Sequence, residues 1–328
     1  MIATALGSFA GTDLRATARA VLGELPDRAP IVELPDRGPQ ASMIARTAAM
    51  LPDMPFDRRP SGWRLAPGPS LVGRRAAALF NDDVTMTAEV IEDWQGTLTL
   101  TMAGPWTLLA SLDLVRGGRA VGDAGARRDL AQAWLAGAVD RIAHTRSQLD
   151  RPLAVQIDEP ALPAVLAGAI PDESGRRRLP AVEAQEVQES LGACVDATRG
   201  AAEDIVVIHC CADRPPLTEL AAAVPDALSI DTQRLDAGSW DALAQWFSAE
   251  PGPGMDHALW LGLLSTSTPG FGVDAIRGAL DECRRKLEAD PGGPADRRLA
   301  ITPACGLASA DPVDAFRALA DLAAVARG

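Results

Sequence analysis

Eight short runs of aliphatic and β-branched residues recur along the 328-residue chain. They are TALGSF from Thr4, PIVEL from Pro30, TLTLTMAGP from Thr97 and PLAVQIDEP from Pro152, followed by DIVVIHCC from Asp204, DALSIDT from Asp226, ALWLGLLS from Ala258 and LAITPACG from Leu299. Each has the length and nearly continuous apolar character of a strand covered on both faces. Between most of them lie Ala/Leu/Arg-rich stretches of helical period, such as RDLAQAWLAGAVDRIAHTRSQL from Arg128, long enough for a crossover helix. Strands alternating with helices predict a parallel sheet, and eight such units predict an α/β fold of the (β/α)8 barrel type. The closing helix reads VDAFRALADLAAVARG. Residues 36–95, with the Pro-rich piece PSGWRLAPGPS, read as an insertion between the second and third runs. No repeat or shift of composition marks a second domain, so one barrel over 1–328 is expected.

In such barrels the reactive side chains sit at the C-terminal ends of the strands. The polar residues found there are Ser8, Asp158, Glu159, His209, Cys211, Asp231, Ser265 and Cys305. The fifth run is the most informative. Side chains alternate along a strand, so in IVVIHCCAD His209 and Cys211 face one way and Cys210 the other. An imidazole and a thiol two residues apart make half of a zinc site; the plainer reading is a pair of small core cysteines beside a satisfied histidine. His209, Cys211, Asp231 and Cys305 are zinc ligands by type, from the fifth, sixth and eighth runs. Asp231 could instead cap the next helix or pair with Arg234, and Cys305 could fill a tight turn. Asp158 and Glu159 could cap the chain before Pro160; two adjacent buried carboxylates are costly unless they meet a cation or donors, which favours a substrate role for at least Asp158. His144, Cys194 and Cys283 fall in helical stretches, and His257 precedes the seventh run, at the wrong end for chemistry.

Composition narrows the classes. A net charge of −13 argues against nucleic acid and anionic membrane surfaces. No basic-plus-apolar leader and no apolar run of about 18 residues is seen, so a cytoplasmic setting with no membrane segment is expected. Five cysteines in a chain this long are not a disulfide framework. Tyrosine is absent, which removes the phenolic acid from any mechanism.

LGSF at the start, GPWT at 104–107, QIDEPAL at 156–162, IHCC at 208–211, SIDTQR at 229–234 and PACGL at 303–307 together resemble the catalytic barrel of the cobalamin-independent methionine synthase family. The resemblance implies methyl transfer to the thiol of homocysteine at a Zn2+ held by His209, Cys211, Cys305 and Asp231, where the family usually has Glu. It implies that Asp158, with Glu159 beside it, receives the substrate amino group, and that the backbone around Ser8 receives its carboxylate. Two departures bear on the donor. The family's second, folate-holding barrel is missing, and GLLSTSTP places Ser265 and Ser267 where the family has Asp and a proton-delivering His. Methyl-tetrahydrofolate needs a general acid at N5; a methyl-corrinoid needs none. The expected donor is therefore methylcobalamin or a corrinoid carrier protein, with methyl-tetrahydrofolate as the second candidate. The same motifs would also suit a zinc-thiolate methyltransferase acting on another thiol, such as coenzyme M. Less well matched are a decarboxylase-like barrel, for which Arg37 and Arg46 are the available cations, and a non-catalytic zinc barrel.

Overall fold

The computed structural model describes residues 1–249, 257–266 and 272–328. The first two apolar runs continue from the ends of the short strands β1 (Ile2–Ala3) and β2 (Arg28–Pro30), whereas the other six form β3 (Thr97–Ala103), β4 (Leu153–Asp158), β5 (Glu203–Cys210), β6 (Ala227–Asp231), β7 (Ala258–Leu264) and β8 (Leu299–Pro303). Their order is β1-β8-β7-β6-β5-β4-β3-β2, and every neighbouring pair is parallel. The two ends of that order meet at a bridge between Ser8 and Glu33. There the Phe9 amide donates to the Glu33 carbonyl at 2.9 Å and the Glu33 amide to the Gly7 carbonyl at 2.8 Å. The fold is a (β/α)8 barrel.

The crossovers are helical: α1 (Leu14–Glu24), α2 (Leu71–Val90), α3 (Ala124–Leu149), α4 (Ala184–Ala202), α5 (Leu217–Ala222), α6 (Ala237–Ser248), α7 (Val273–Leu287) and α8 (Pro312–Arg327). Asp13, Ser70, Asp123, Asp236 and Asp311 cap α1, α2, α3, α6 and α8 by accepting from first-turn amides, each cap contributing about 1 kcal/mol. One side of each strand packs against these helices. Val206, Ile208 and Cys210 of β5, with Leu228 and Ile230 of β6, belong to the large cluster between sheet and shell. The other side points inward. Val207, Ala227, Trp260 and Ala300, with Leu6, form a separate cluster inside the barrel. Below it Arg28 lies 5.8 Å over the Trp260 ring and pairs with Asp204 at 3.0 Å.

The 36–95 segment holds a short helix, Met43–Ala48, an antiparallel hairpin, Phe56–Arg59 with Gly62–Leu65, and α2 itself. Buried charges tie it to the barrel. Arg46, 3% exposed, reaches Glu33 after β2 at 3.2 Å and also Asp83 of α2. Arg37 grips the same Asp83 with both guanidinium nitrogens at 2.6 and 2.7 Å. Charges taken out of water are tolerated only when paired in this way. Both arginines that a decarboxylase-like site would need are thus committed to carboxylates of the scaffold.

Candidate metal centre and active site

The alternation along β5 decides which side chains reach the barrel mouth. Since Val207 lies inside and Cys210 packs in the shell, His209 faces the interior. Cys211, one residue past the strand, turns back toward Cys305, which follows β8. Their sulfurs are 3.1 Å apart. The ligand atoms of His209, Cys211 and Cys305 all lie within 4.8 Å of one another, with His209 buried and both thiols half-buried.

The histidine is oriented from behind. Its Nδ1 lies 3.1 Å from the Ser229 carbonyl and 3.0 Å from the Ser229 hydroxyl. A carbonyl only accepts, so Nδ1 carries the hydrogen and Nε2 keeps the lone pair. Nε2 is buried and, among the described residues, has no hydrogen-bond partner. A lone pair held this way, with its opposite nitrogen fixed by a backbone carbonyl, is the arrangement of a metal-ligating histidine. Burial disfavours the charged ring, but the facing Cys305 and nearby Asp158 outweigh it and raise its pKa. The two thiols interact most strongly with each other. The hydrogen bond from Cys211 holds Cys305 well below the ordinary thiol range, and the same contact, reinforced by burial, pushes Cys211 up. One of the pair is thereby prepared as a thiolate, the form that soft metals bind. The donor set fits zinc: imidazole and two sulfurs, with tetrahedral Zn–S bonds of about 2.3 Å requiring only a modest opening of the sulfur pair.

Asp158 ends β4 directly beside His209 in the strand register. Its Oδ1 accepts from Gln156 Nε2 at 2.8 Å. Burial pushes its carboxyl up to about 7, against the pull of His209 and Gln156. Glu159, the next residue, points the opposite way. Its Oε1 accepts from the Trp106 amide at 3.0 Å, and its Oε2 from the Thr107 amide and hydroxyl at 2.8 and 2.7 Å. It therefore caps the helix Pro105–Ser111, and burial pushes it up to about 8 despite these donors. Gly104 makes room for it: a Cβ there would stand 2.2 Å from Oε1. Of the two adjacent carboxylates, only Asp158 faces the mouth; Glu159, expected beside it as a substrate contact, is taken up by the scaffold.

Ser8 lies at the mouth next to the Cys305 loop, where a side chain at Gly306 would meet its hydroxyl at 1.9 Å. The Leu307 amide donates to the Ser8 carbonyl at 2.7 Å. Asp231 stands outside the ligand group. Its Oδ1 accepts from the Gln233 amide at 3.0 Å and its Oδ2 from Arg234 Nε at 3.4 Å. The fourth expected ligand thus caps the turn that follows β6, because the shorter acidic side chain meets a backbone amide two residues on before it meets the sulfurs. Ser265 follows β7, half-buried, on the same mouth; Ser267 lies outside the described residues. His144 is exposed on α3, and His257 sits at the foot, stacked on Trp246 at 4.4 Å with its Nδ1 2.8 Å from the Trp246 carbonyl. Cys194 and Cys283 are buried among shell residues. Ser229 and Gln156 open the segments SIDTQR and QIDEPAL, but the sequence assigns neither of them a role. Both lie two residues before an expected site residue, Asp231 and Asp158, and so share its inward face.

The whole chain, residues 1–328, matches the family described as cobalamin-independent synthase, catalytic domain. It belongs to that family, whose members are methyltransferases. Among solved structures it is similar to a B12-independent methionine synthase from Shewanella sp. W3-18-1 in complex with selenomethionine, at 11% identity and TM-score 0.63, over 99% of this chain and 96% of that one. A putative vitamin-B12 independent methionine synthase from Listeria monocytogenes follows at 12% identity and TM-score 0.60, over 100% and 98%. A methyltransferase from Methanosarcina mazei matches at 16% identity and TM-score 0.57, over 96% and 85%. At these identities the likeness is one of fold. No curated protein matches the chain. Among the described residues no helix is long and apolar enough to cross a membrane.

Proposed function

We propose that the protein transfers a methyl group to the thiol of homocysteine, forming methionine, with zinc at His209, Cys211 and Cys305 and methyl-tetrahydrofolate as the donor. The observation that carries the reading is the convergence of an unpartnered imidazole nitrogen and two sulfurs within 4.8 Å at the barrel mouth. Three protein ligands and one open position are the mark of a catalytic rather than a structural zinc site. A zinc ion held there lowers the pKa of an incoming thiol and keeps its sulfur nucleophilic.

The chain's own residues do the rest. Ser229 fixes the His209 tautomer. Asp158, on the adjacent strand and supported by Gln156, offers a carboxylate to the substrate ammonium, whose charge offsets the cost of ionising a buried acid. The backbone at Ser8 lies on the same mouth and suits the substrate carboxylate.

The corrinoid donor and carrier protein expected from the missing second barrel lack support. The family is cobalamin-independent, and the present chain covers 96% and 98% of two relatives named as B12-independent. A single-barrel length is therefore no argument for a corrinoid. The decisive experiment measures methionine formation from homocysteine with zinc, giving methyl-tetrahydrofolate and methylcobalamin in parallel. Turnover with the folate is expected. Turnover with methylcobalamin alone would reject the donor while leaving the thiol chemistry in place.

A further inference from the structure

Asp231 ends β6 at the mouth, beside the ligand trio but outside it. Burial raises its pKa and the Cys305 sulfur adds to the rise, so the carboxylate and the trio sense each other. By chemistry a carboxylate there is a competent zinc ligand. Its separation from the trio needs a cause, and the turn Thr232–Arg234 supplies one. The turn is pinned to β7: the Thr232 hydroxyl donates to the Gly262 carbonyl at 2.8 Å, and Gln233 Nε2 to the Leu263 carbonyl at 3.2 Å. Held this way, it presents the Gln233 amide to Asp231 Oδ1 at 3.0 Å, and Arg234 Nε takes Oδ2 at 3.4 Å. Each carboxylate oxygen thus has a donor on the side of the turn.

Arg234 also reaches a second carboxylate. Its Nη1 grips Asp213, two residues beyond Cys211 in the loop after β5. One guanidinium therefore spans the segment that carries Cys211 and the turn that follows Asp231. The arms of a guanidinium point in fixed directions. With Asp213 holding one arm outward, the other cannot follow Asp231 toward the sulfurs. A swing of Asp231 onto the metal would have to break the Arg234 contact, and the Asp231 side chain is only 10% exposed, so water replaces that contact poorly. The charge balance points the same way. A neutral imidazole and two thiolates already offset a divalent ion. A carboxylate would add a surplus negative charge and fill the position that an incoming thiol needs.

We propose that Arg234 is a positioning residue that holds Asp231 off the metal and so keeps the fourth zinc position open to the substrate thiol. The proposal rests on the zinc and homocysteine reading above and adds what maintains the open position. Carboxylate and thiol exclude each other there. Whatever factor a freed Asp231 adds to zinc affinity, it removes from the affinity of the zinc-loaded protein for homocysteine. Zinc affinity is read by competition with a chromophoric chelator, and homocysteine binding to the zinc-loaded protein by calorimetry. The proteins compared are the wild type, Arg234→Gln, Asp231→Asn and the double variant. Arg234→Gln should bind zinc about threefold tighter or more, the scale of one partly buried ion pair, and homocysteine weaker by the same factor. Both changes should vanish in the Asp231→Asn background. A smaller rise, no change or a loss of zinc affinity in Arg234→Gln would overturn the proposal, and is the result expected if Arg234 merely ties the two segments together. The same rise in the Asn background would overturn it too. A wild-type protein that binds no zinc, or binds zinc but no homocysteine, would instead reject the functional reading and the proposal with it, before any variant is compared.

Discussion

At the foot of the barrel the inward positions of β5, β6, β7 and β8 are Val207, Ala227, Trp260 and Ala300. Two residues further along β5 and β6, at the mouth, they are His209 and Ser229. Both layers obey the same two-residue period and both are buried, yet the foot is closed by apolar contact and the mouth by polar atoms that need partners. The difference separates stability from function within a single strand. The foot gains chiefly from burial, with the Arg28–Asp204 pair closing it below Trp260. The mouth holds a histidine nitrogen without a partner among the described residues and a carboxyl pushed up to about 7, conditions that a bound ligand would relieve.

The largest expected effects fall on the mouth. Cys211→Ser or Cys305→Ser should lower zinc affinity by more than about 100-fold, beyond the 10–100-fold typical of losing a residue that merely supports a ligand. Activity should vanish with it. Cys210→Ser, one residue from Cys211 but facing the shell, should retain zinc and lose only about 1–3 kcal/mol of stability, the cost of burying an unpaired hydroxyl. Metal content by elemental analysis of the three variants reads this directly; zinc loss from Cys210→Ser with retention in Cys211→Ser would invert the register of β5.

At the foot the balance reverses. Trp260→Ala removes the largest side chain of the inner cluster and should cost about 3–5 kcal/mol. The surviving folded fraction should bind zinc with unchanged affinity. A denaturation curve paired with a zinc titration tests whether the layers are as independent as their contacts suggest.

Asp158 and Glu159 repeat the comparison at the scale of one peptide. Glu159→Ala strips the cap from Pro105–Ser111 and leaves two buried amides without an acceptor, a loss of about 2–3 kcal/mol. Asp158→Asn should leave the fold intact, raise the homocysteine KM and change the pH dependence of stability. Burial raises the Asp158 pKa to about 7 from an ordinary 3.8, so the folded state holds its proton longer than the unfolded chain. The wild-type, metal-free protein therefore loses stability as pH rises from about 4 to 7. The Asn variant lacks that contribution, so its stability relative to wild type should climb through that window and level off above it. Identical pH profiles for the two proteins would refute the assignment.

Ser229→Ala is expected to act more mildly. It removes the hydroxyl from His209 Nδ1 but leaves the Ser229 carbonyl, so zinc affinity should fall toward the lower end of the roughly 10–100-fold range for supporting residues. A change below about twofold in a competition titration would assign the whole orienting role to the carbonyl.

The barrel itself is legible in the sequence because its signal is cumulative: eight apolar runs, most of them separated by stretches of helical period, leave few other folds open. The ligand trio is legible because strand ends and the two-residue period locate His209, Cys211 and Cys305 without knowledge of packing. What the sequence does not resolve are choices made within a few ångströms. QIDEPAL offers two carboxylates to the mouth, and only the position of helix Pro105–Ser111, brought in from β3, assigns Glu159 to capping. Ser229 reads as an ordinary strand residue until β5 and β6 are set in register.

Asp231 is where residue type and contact pull hardest against each other, and the smallest effect is expected there. By residue type and strand position it belongs with the ligands; by contact it belongs with Gln233 and Arg234. Burial raises its pKa, with the Gln233 amide and Arg234 pulling the other way. Asp231→Asn keeps the size and can still accept from the Gln233 amide, so the cap should survive with a loss of about 0.5–1 kcal/mol. Zinc affinity should change by no more than about threefold, far less than the loss on replacing a ligand. A fall comparable to that of Cys305→Ser would show that Asp231 leaves its cap to join the metal, making the centre a four-ligand site that must release or stretch one bond before a thiol can enter. Measured against Ser229→Ala on one titration scale, the variant therefore decides whether the open position at this mouth is built in or created by the substrate.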